Sequence, residues 1–372
     1  MTKHVIPLFK SHIAESAIVA VRGVLKSGQL AEGERLREFT CLLRDFVQNP
    51  NGIVVSNASA AIDLALRLCD VHAGDEVIVS PMCCASITTP IANLGAVPVW
   101  CDVHPDTGMI DAQQLEPLFT VRTRAILFTH WSGDVADIDQ VNCIAQAHQV
   151  RTIDDGSDAF GATLAGNAVG NNGTDFTALS FSAVRTLTTG DGGALFARQT
   201  DDIERAARLK DFGIDRTSFR TSTGDINPLS DIPEAGYSYR SNDIAGAIGT
   251  EEFAYVEELL ARHRRNAHFL DEALSDCDGI RRLRRRADSD ASYWTYSLIA
   301  ERRDQLQQKL AGCGIASQRL HVRNDLYSCF PQSPTKLRGV EAFDTGNLSI
   351  PCGWWVSAED LEIIVSIIRE GW

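Results

Sequence analysis

Three carboxylates fall within five residues in Ile153-Asp154-Asp155-Gly156-Ser157-Asp158-Ala159-Phe160-Gly161. Such crowding costs free energy unless cations, protons or hydrogen bonds offset it, so these groups should titrate abnormally. Asx turns and helix caps are the plain alternative for the same residues. A second segment, Ser56-Asn57-Ala58-Ser59-Ala60, is built of small and polar residues where a strand gives way to a helix. Backbone N–H groups at such a turn can approach an anion, with the Ser59 hydroxyl adding a donor; a capping serine would look the same. A third, Ser180-Phe181-Ser182-Ala183-Val184-Arg185-Thr186-Leu187, runs into Thr188-Thr189-Gly190-Asp191-Gly192-Gly193, whose glycines open backbone conformations closed to other residues. The fourth, Gly236-Tyr237-Ser238-Tyr239-Arg240-Ser241-Asn242-Asp243, offers an arginine to an anion at the start of a helix.

The elements that must position these segments alternate between strand and helix. Strands are expected at Gly52–Ser56, Glu76–Ser80, Val97–Asp102, Arg124–Thr129, Val150–Asp154, Phe176–Ser180 and Gly193–Ala197. Between them, Ala60–Cys69 and Asp137–His148 repeat apolar residues at helical spacing. That alternation predicts a mostly parallel sheet sandwiched by helices, with ligands at the carboxyl ends of its strands. The stretch 214–236 is polar and aperiodic and reads as a loop bordering a site or as a plain surface loop. Beyond it, Asp243–Ala267 reads as one long helix. A boundary near residue 250 would separate a large domain, 1–249, from a smaller C-terminal α/β domain, 250–372.

Composition narrows the function. The 372 residues are 44% hydrophobic, enough for a large core, and carry a formal net charge of −14. That charge gives nucleic acid and anionic membranes no electrostatic reason to bind. No run is long and apolar enough to span a bilayer, which predicts a soluble, cytoplasmic protein. Ten scattered cysteines form no C-x-x-C pair and no zinc-type cluster, so we expect buried thiols and no metal. The arginines 281, 282, 284, 285 and 286 stand beside Asp288 and Asp290 and read as a solvated surface.

Together these segments resemble the DegT/DnrJ/StrS family of sugar aminotransferases over essentially the whole chain. Gly74-Asp75-Glu76-Val77-Ile78, His130-Trp131-Ser132-Gly133, Phe212-Gly213-Ile214-Asp215-Arg216 and Ile350-Pro351-Cys352-Gly353-Trp354-Trp355 add to the likeness. The resemblance implies the α/β PLP-transferase fold type I and a site shared across a homodimer. It implies that Asp155 meets the pyridine nitrogen of pyridoxal phosphate (PLP), that Ala58, Ser59 and Ser180 hold the phosphate, and that Arg240 reaches the partner's cofactor. Cys84 takes the ring-stacking position, usually aromatic.

Where the family carries its Schiff-base lysine this chain has Arg185, and Asp158 stands where Gln or His is usual. A guanidinium stays protonated and cannot serve as an amine nucleophile. The expected cofactor is therefore none, or PLP or its amine form PMP held noncovalently, with no internal aldimine. The opposite signs of the two changes predict an Arg185–Asp158 ion pair. The resemblance leaves Asp155, Asp158, Arg185 and His321 as candidate catalytic residues, with His130, His321 and Arg323 facing a small, possibly nucleotide-linked substrate. Three functions follow: a lysine-free enzyme on a sugar-like carbonyl, a silent subunit of a lysine-bearing partner, and a slow aminotransferase with noncovalent PLP.

Overall fold

The computed structural model describes residues 5–372. Its main sheet is built from β1 (Gly52–Val55), β2 (Glu76–Val79), β3 (Val97–Trp100), β4 (Thr123–Thr129) and β5 (Arg151–Asp155). After a small hairpin, β6 (Thr163–Leu164) and β7 (Asn167–Ala168), come β8 (Phe176–Ser180) and β9 (Gly193–Ala197). The spatial order is β1-β9-β8-β5-β4-β2-β3. Only β9 runs against the others, pairing antiparallel with β1 and β8, so the carboxyl ends of β1, β2, β4, β5 and β8 share one edge. The strand β2, Glu-Val-Ile-Val, is buried at every position, as a strand covered on both faces must be.

Helices cover the sheet: α1 (Glu15–Ser27), α2 (Glu34–Val47), α3 (Ala58–Leu68), α4 (Ala85–Asn93), α5 (Ile138–Ala147) and α6 (Thr200–Leu209). The expected single helix over Asp243–Ala267 is two, α7 (Asp243–Phe253) and α8 (Val256–Ala273). The break redirects the apolar stripe. In α7, Gly246 and Gly249 lie hard against the Leu36 backbone and the Phe39 ring of α2, where a Cβ would clash at 2.4 and 2.7 Å. In α8, Val256 and Leu260 join the cluster around Phe39 and Phe181, whereas Ala267 and Leu270 join the C-terminal cluster. Buried Glu252, at the end of α7, accepts hydrogen bonds from the Ala14 amide at 2.5 Å and pairs with His12 Nδ1 at 2.7 Å. That fastens the N-terminal segment across the molecule.

The remainder comprises β10 (Ile280–Arg282), β11 (Ser289–Asp290), β12 (Tyr296–Ala300), α9 (Arg303–Gly312), α10 (Arg338–Gly346), β13 (Asn347–Ile350) and α11 (Ala358–Arg369). Strands β10, β12 and β13 form an antiparallel sheet, packed through Tyr296, Leu298, Leu348 and Ile350 against α8, α9 and α11. Ile6, from the start of the chain, belongs to this cluster. In the arginine run Arg281, Arg282 and Arg284 are exposed, as expected, while Arg285 and Arg286 are half-buried and pair with Asp271 at 2.9 Å and Asp137 at 3.0 Å. Among the described residues no helix is long and apolar enough to cross a membrane.

Candidate active site

Three of the four segments singled out in the sequence, all but the Arg240 segment, leave the sheet at its shared carboxyl edge. After β1, Asn57 rather than Ser59 caps α3, its side chain accepting the Ala60 amide at 2.9 Å. Ser59 instead donates to the Ser86 carbonyl at 3.1 Å. Gly193, opening β9, passes so close to this turn that a Cβ would lie 2.5 Å from the Asn57 carbonyl carbon. After β8, the Ser180 hydroxyl accepts the Ser182 amide at 3.3 Å.

The centre of the edge is an ion pair between Arg185 and Asp158, with side chains 13% and 8% exposed. The guanidinium also lies over the Trp294 ring, 4.2 Å from its centroid. Trp294 is fixed in turn: its indole N–H donates to the Val184 carbonyl at 2.7 Å, and Phe9 stacks on it at 4.8 Å. Asp158 is held by the Ser132 amide at 3.2 Å, and its backbone carbonyl accepts the Ser292 hydroxyl at 3.1 Å. Ser132 (φ 63°) and Gly133 (φ 100°) turn the chain tightly there, and a Cβ on Gly133 would meet the Tyr293 amide at 2.5 Å. The strand-end turn thus presses on the segment that carries Trp294.

Asp155 is buried beside this pair. Its Oδ1 accepts both the amide and the hydroxyl of Ser157, leaving Oδ2 without a hydrogen-bond partner among the described residues. Burial pushes its carboxyl above the usual range, while the Arg185 charge pulls the other way. Next to it, burial drives the Cys83 thiol well up, with Cys84 and Asp155 adding to the effect. Asn324, fully buried, clamps this turn through the Cys83 carbonyl at 3.2 Å and Thr88 Oγ1 at 3.0 Å. Cys83 faces inward and Cys84, half-buried, starts α4.

His321 belongs to the same group. Burial lowers its pKa from the ordinary value; Asp158 acts against that shift and Arg185 with it, which places the imidazole within electrostatic reach of both. The edge of Trp131 meets its ring at 5.6 Å. The structure therefore brings Asp155, Asp158, Arg185 and His321 together.

Three candidates stand elsewhere. His130 was expected to face substrate, but it is buried, with Nδ1 accepting the Ala136 amide at 3.1 Å and Nε2 directed to Asp154 at 3.2 Å. Asp154 and Asp155 are consecutive on β5 and point to opposite faces, so the histidine that serves Asp154 is turned from Asp155. Arg323 closes on Asp325 through two bonds of 3.0 and 2.6 Å. Arg240 lies 37% exposed, 3.3 Å from Asp211. Phe9, Trp131, Ser132, Trp294 and Asn324 were not foreseen as site residues.

A sheet in this order, with one reversed strand and its chemistry gathered at the carboxyl edge, has the PLP-transferase fold type I. The chain belongs to the DegT/DnrJ/EryC1/StrS aminotransferase family, whose model matches residues 11–369. It is 32% identical to the sugar aminotransferase CalS13 of Micromonospora echinospora, with a TM-score of 0.93 over 99% of this chain and 100% of that one. AtS13 of Actinomadura melliaura is likewise 32% identical, with a TM-score of 0.94 and 100% of both chains covered. A UDP-4-amino-4-deoxy-L-arabinose–oxoglutarate aminotransferase of Shewanella sediminis is 26% identical, aligned over 100% of this chain and 99% of its own length.

Proposed function

We propose that this chain is a lysine-free member of its family, acting on a nucleotide-linked or other sugar-like carbonyl substrate. Its relatives' names support the substrate class: sugar aminotransferase for one, an aminotransferase of a UDP-linked amino sugar for another. The reading is supported by one observation: Arg185, which the resemblance puts at the family's lysine position, is tied to Asp158 and stacked on Trp294. It offers no amine nucleophile.

The remaining residues fit a PLP-type group held without a covalent bond. Asp155 Oδ2 is open to a pyridinium N–H, and the amino end of α3, flanked by Ser59 and Ser180, suits a phosphate. Bound there, such a group would supply an electron sink for a neighbouring carbanion. The chain's own part is narrower. Asp158 fixes Arg185, Trp294 shields it from water, and His321, held neutral by burial, takes or returns a proton at a ring nitrogen. His130 holds Asp154 in place rather than moving protons.

A second copy of the chain would cover apolar residues that one chain leaves open: Ile18, Val19 and Leu25 on or beside α1, Val184 next to Arg185, and Leu229. We propose a homodimer that covers such residues; a lysine-bearing relative in the second copy's place is the second reading, which co-purification would reveal.

The test is chemical. Incubation with PLP and borohydride, followed by mass spectrometry, should leave no pyridoxyl group on the polypeptide, while native mass spectrometry should show any PLP or PMP leaving freely. A pyridoxyl adduct on any side chain, or rapid amino-donor turnover, would overturn the reading.

A further inference from the structure

Arg185 is fixed on three sides. One end of its guanidinium meets Asp158, its face lies 4.2 Å over Trp294, and its backbone amide donates to the Ser182 carbonyl at 3.0 Å. Of its other N–H groups, the one at Nε is buried and has no acceptor among the described residues. A buried cationic donor without an acceptor is unfavourable and persists where a ligand oxygen completes it.

The surrounding charge selects that oxygen. Asp158 already balances Arg185, and Asp155 can add only negative charge, so a further anion would be repelled. A neutral oxygen that becomes negative only as a reaction proceeds avoids that cost and gains most from the guanidinium. A carbonyl oxygen is such a group.

We infer that Arg185 is the oxygen receptor of a cofactor-independent proton exchange, its Nε–H holding the carbonyl oxygen of a keto-sugar while His321 removes a proton from the adjacent carbon. The C–H bond breaks, its electron pair forms a C=C bond, and the carbonyl π pair moves onto the oxygen held by Arg185. The proton rests on His321 as imidazolium, which Asp158 favours electrostatically, and returns to the same carbon or exchanges with solvent. Delivery of a solvent proton to the opposite face, with His321 releasing its own proton to solvent, inverts that carbon. Nothing is oxidised or reduced and no co-reactant is consumed, so the reaction class is epimerisation of a keto-sugar beside its carbonyl. The low basicity that burial gives His321 keeps it unprotonated at neutral pH, ready to act as the base.

This inference rests on the proposed reading that the site takes a sugar-type carbonyl without lysine chemistry. The experiment uses the full chain, freed of PLP and PMP, with a UDP-linked 4-keto-pentose in D₂O. Proton NMR follows deuterium entering next to the carbonyl, and saturation transfer reports binding separately. We expect exchange in the unmodified protein, slowed about 100-fold in His321→Asn and by a similar factor in Arg185→Met. Binding should survive in His321→Asn. Binding without exchange, or exchange that ignores both substitutions, overturns the inference and leaves the carbonyl-sugar reading standing. No binding by the unmodified protein overturns both. Should Arg185→Met not fold, the unmodified protein and His321→Asn decide the matter between them.

Discussion

Breaking the Arg185–Asp158 pair from either side should cost stability, and breaking it from both should cost less than the sum. Asp158→Asn keeps the side chain's shape and its bond from the Ser132 amide but strands a guanidinium that is 13% exposed. We expect a loss of about 3 kcal/mol, the lower end for one partner of a buried pair. Arg185→Met strands the Asp158 carboxylate and also forfeits the stacking on Trp294, for a loss of about 4 kcal/mol. It further removes the cation that holds the buried Asp155 carboxyl down, so that group should rise further. In the double variant no charge is stranded, and about 5 kcal/mol remains, a coupling of about 2 kcal/mol between the two residues. Urea unfolding at pH 7 and one fixed protein concentration measures all four corners of the cycle. A coupling below about 0.5 kcal/mol would mean that the two side chains do not act as a pair, and the electrostatic account of the site would fall.

A lysine at position 185 should not by itself give attachment of a cofactor: in Arg185→Lys the ammonium meets Asp158 and stays protonated, so borohydride with PLP should trap nothing. Arg185→Lys combined with Asp158→Gln should give a pyridoxyl adduct by mass, and an equal adduct in the single variant would refute the role given to Asp158. Two buried groups should tilt stability with pH in opposite directions. Burial raises Asp134 to about 6 from an ordinary 3.8, so its stabilisation is complete below pH 4 and lost as pH rises through 6. Burial lowers His263 to about 4 from 6.5, so its stabilisation is complete above 6.5 and lost as pH falls through 4. Each amounts to about 3 kcal/mol. Relative to the unmodified protein, Asp134→Asn should therefore gain stability from pH 4 to 7 and His263→Asn should lose it, as read by urea unfolding at several pH values; parallel curves would refute the assignments.

What was legible in the sequence was local. Asp155, Asp158, Ser180 and Arg185 lie within a few residues of the strands that carry them, and a mostly parallel sheet brings such strand ends to one edge whatever their separation along the chain. The opposite signs of Arg185 and Asp158 foretold their contact because Coulomb attraction needs no knowledge of the fold. The failures share a different cause. No glycine or proline marks the break at Ala254 and Tyr255, after which α8 reaches from the cluster at Phe39 to the cluster at Leu270. His130 belongs to a strand-end turn, but its task is decided by which face of β5 Asp154 occupies, a matter of register with β4 rather than of residue type.

Phe9, Trp294 and Asn324 carry no motif, and each reaches the edge only because distant segments fold back over it. Trp294 is the instructive one. Without a ring beneath it and Phe9 beneath the ring, Arg185 would be a long, mobile cation answering to Asp158 alone, and its uncapped Nε would reach water. The stack holds the guanidinium in one position. Its specificity therefore depends on two aromatic residues that no reading of the strand-end segments alone would find.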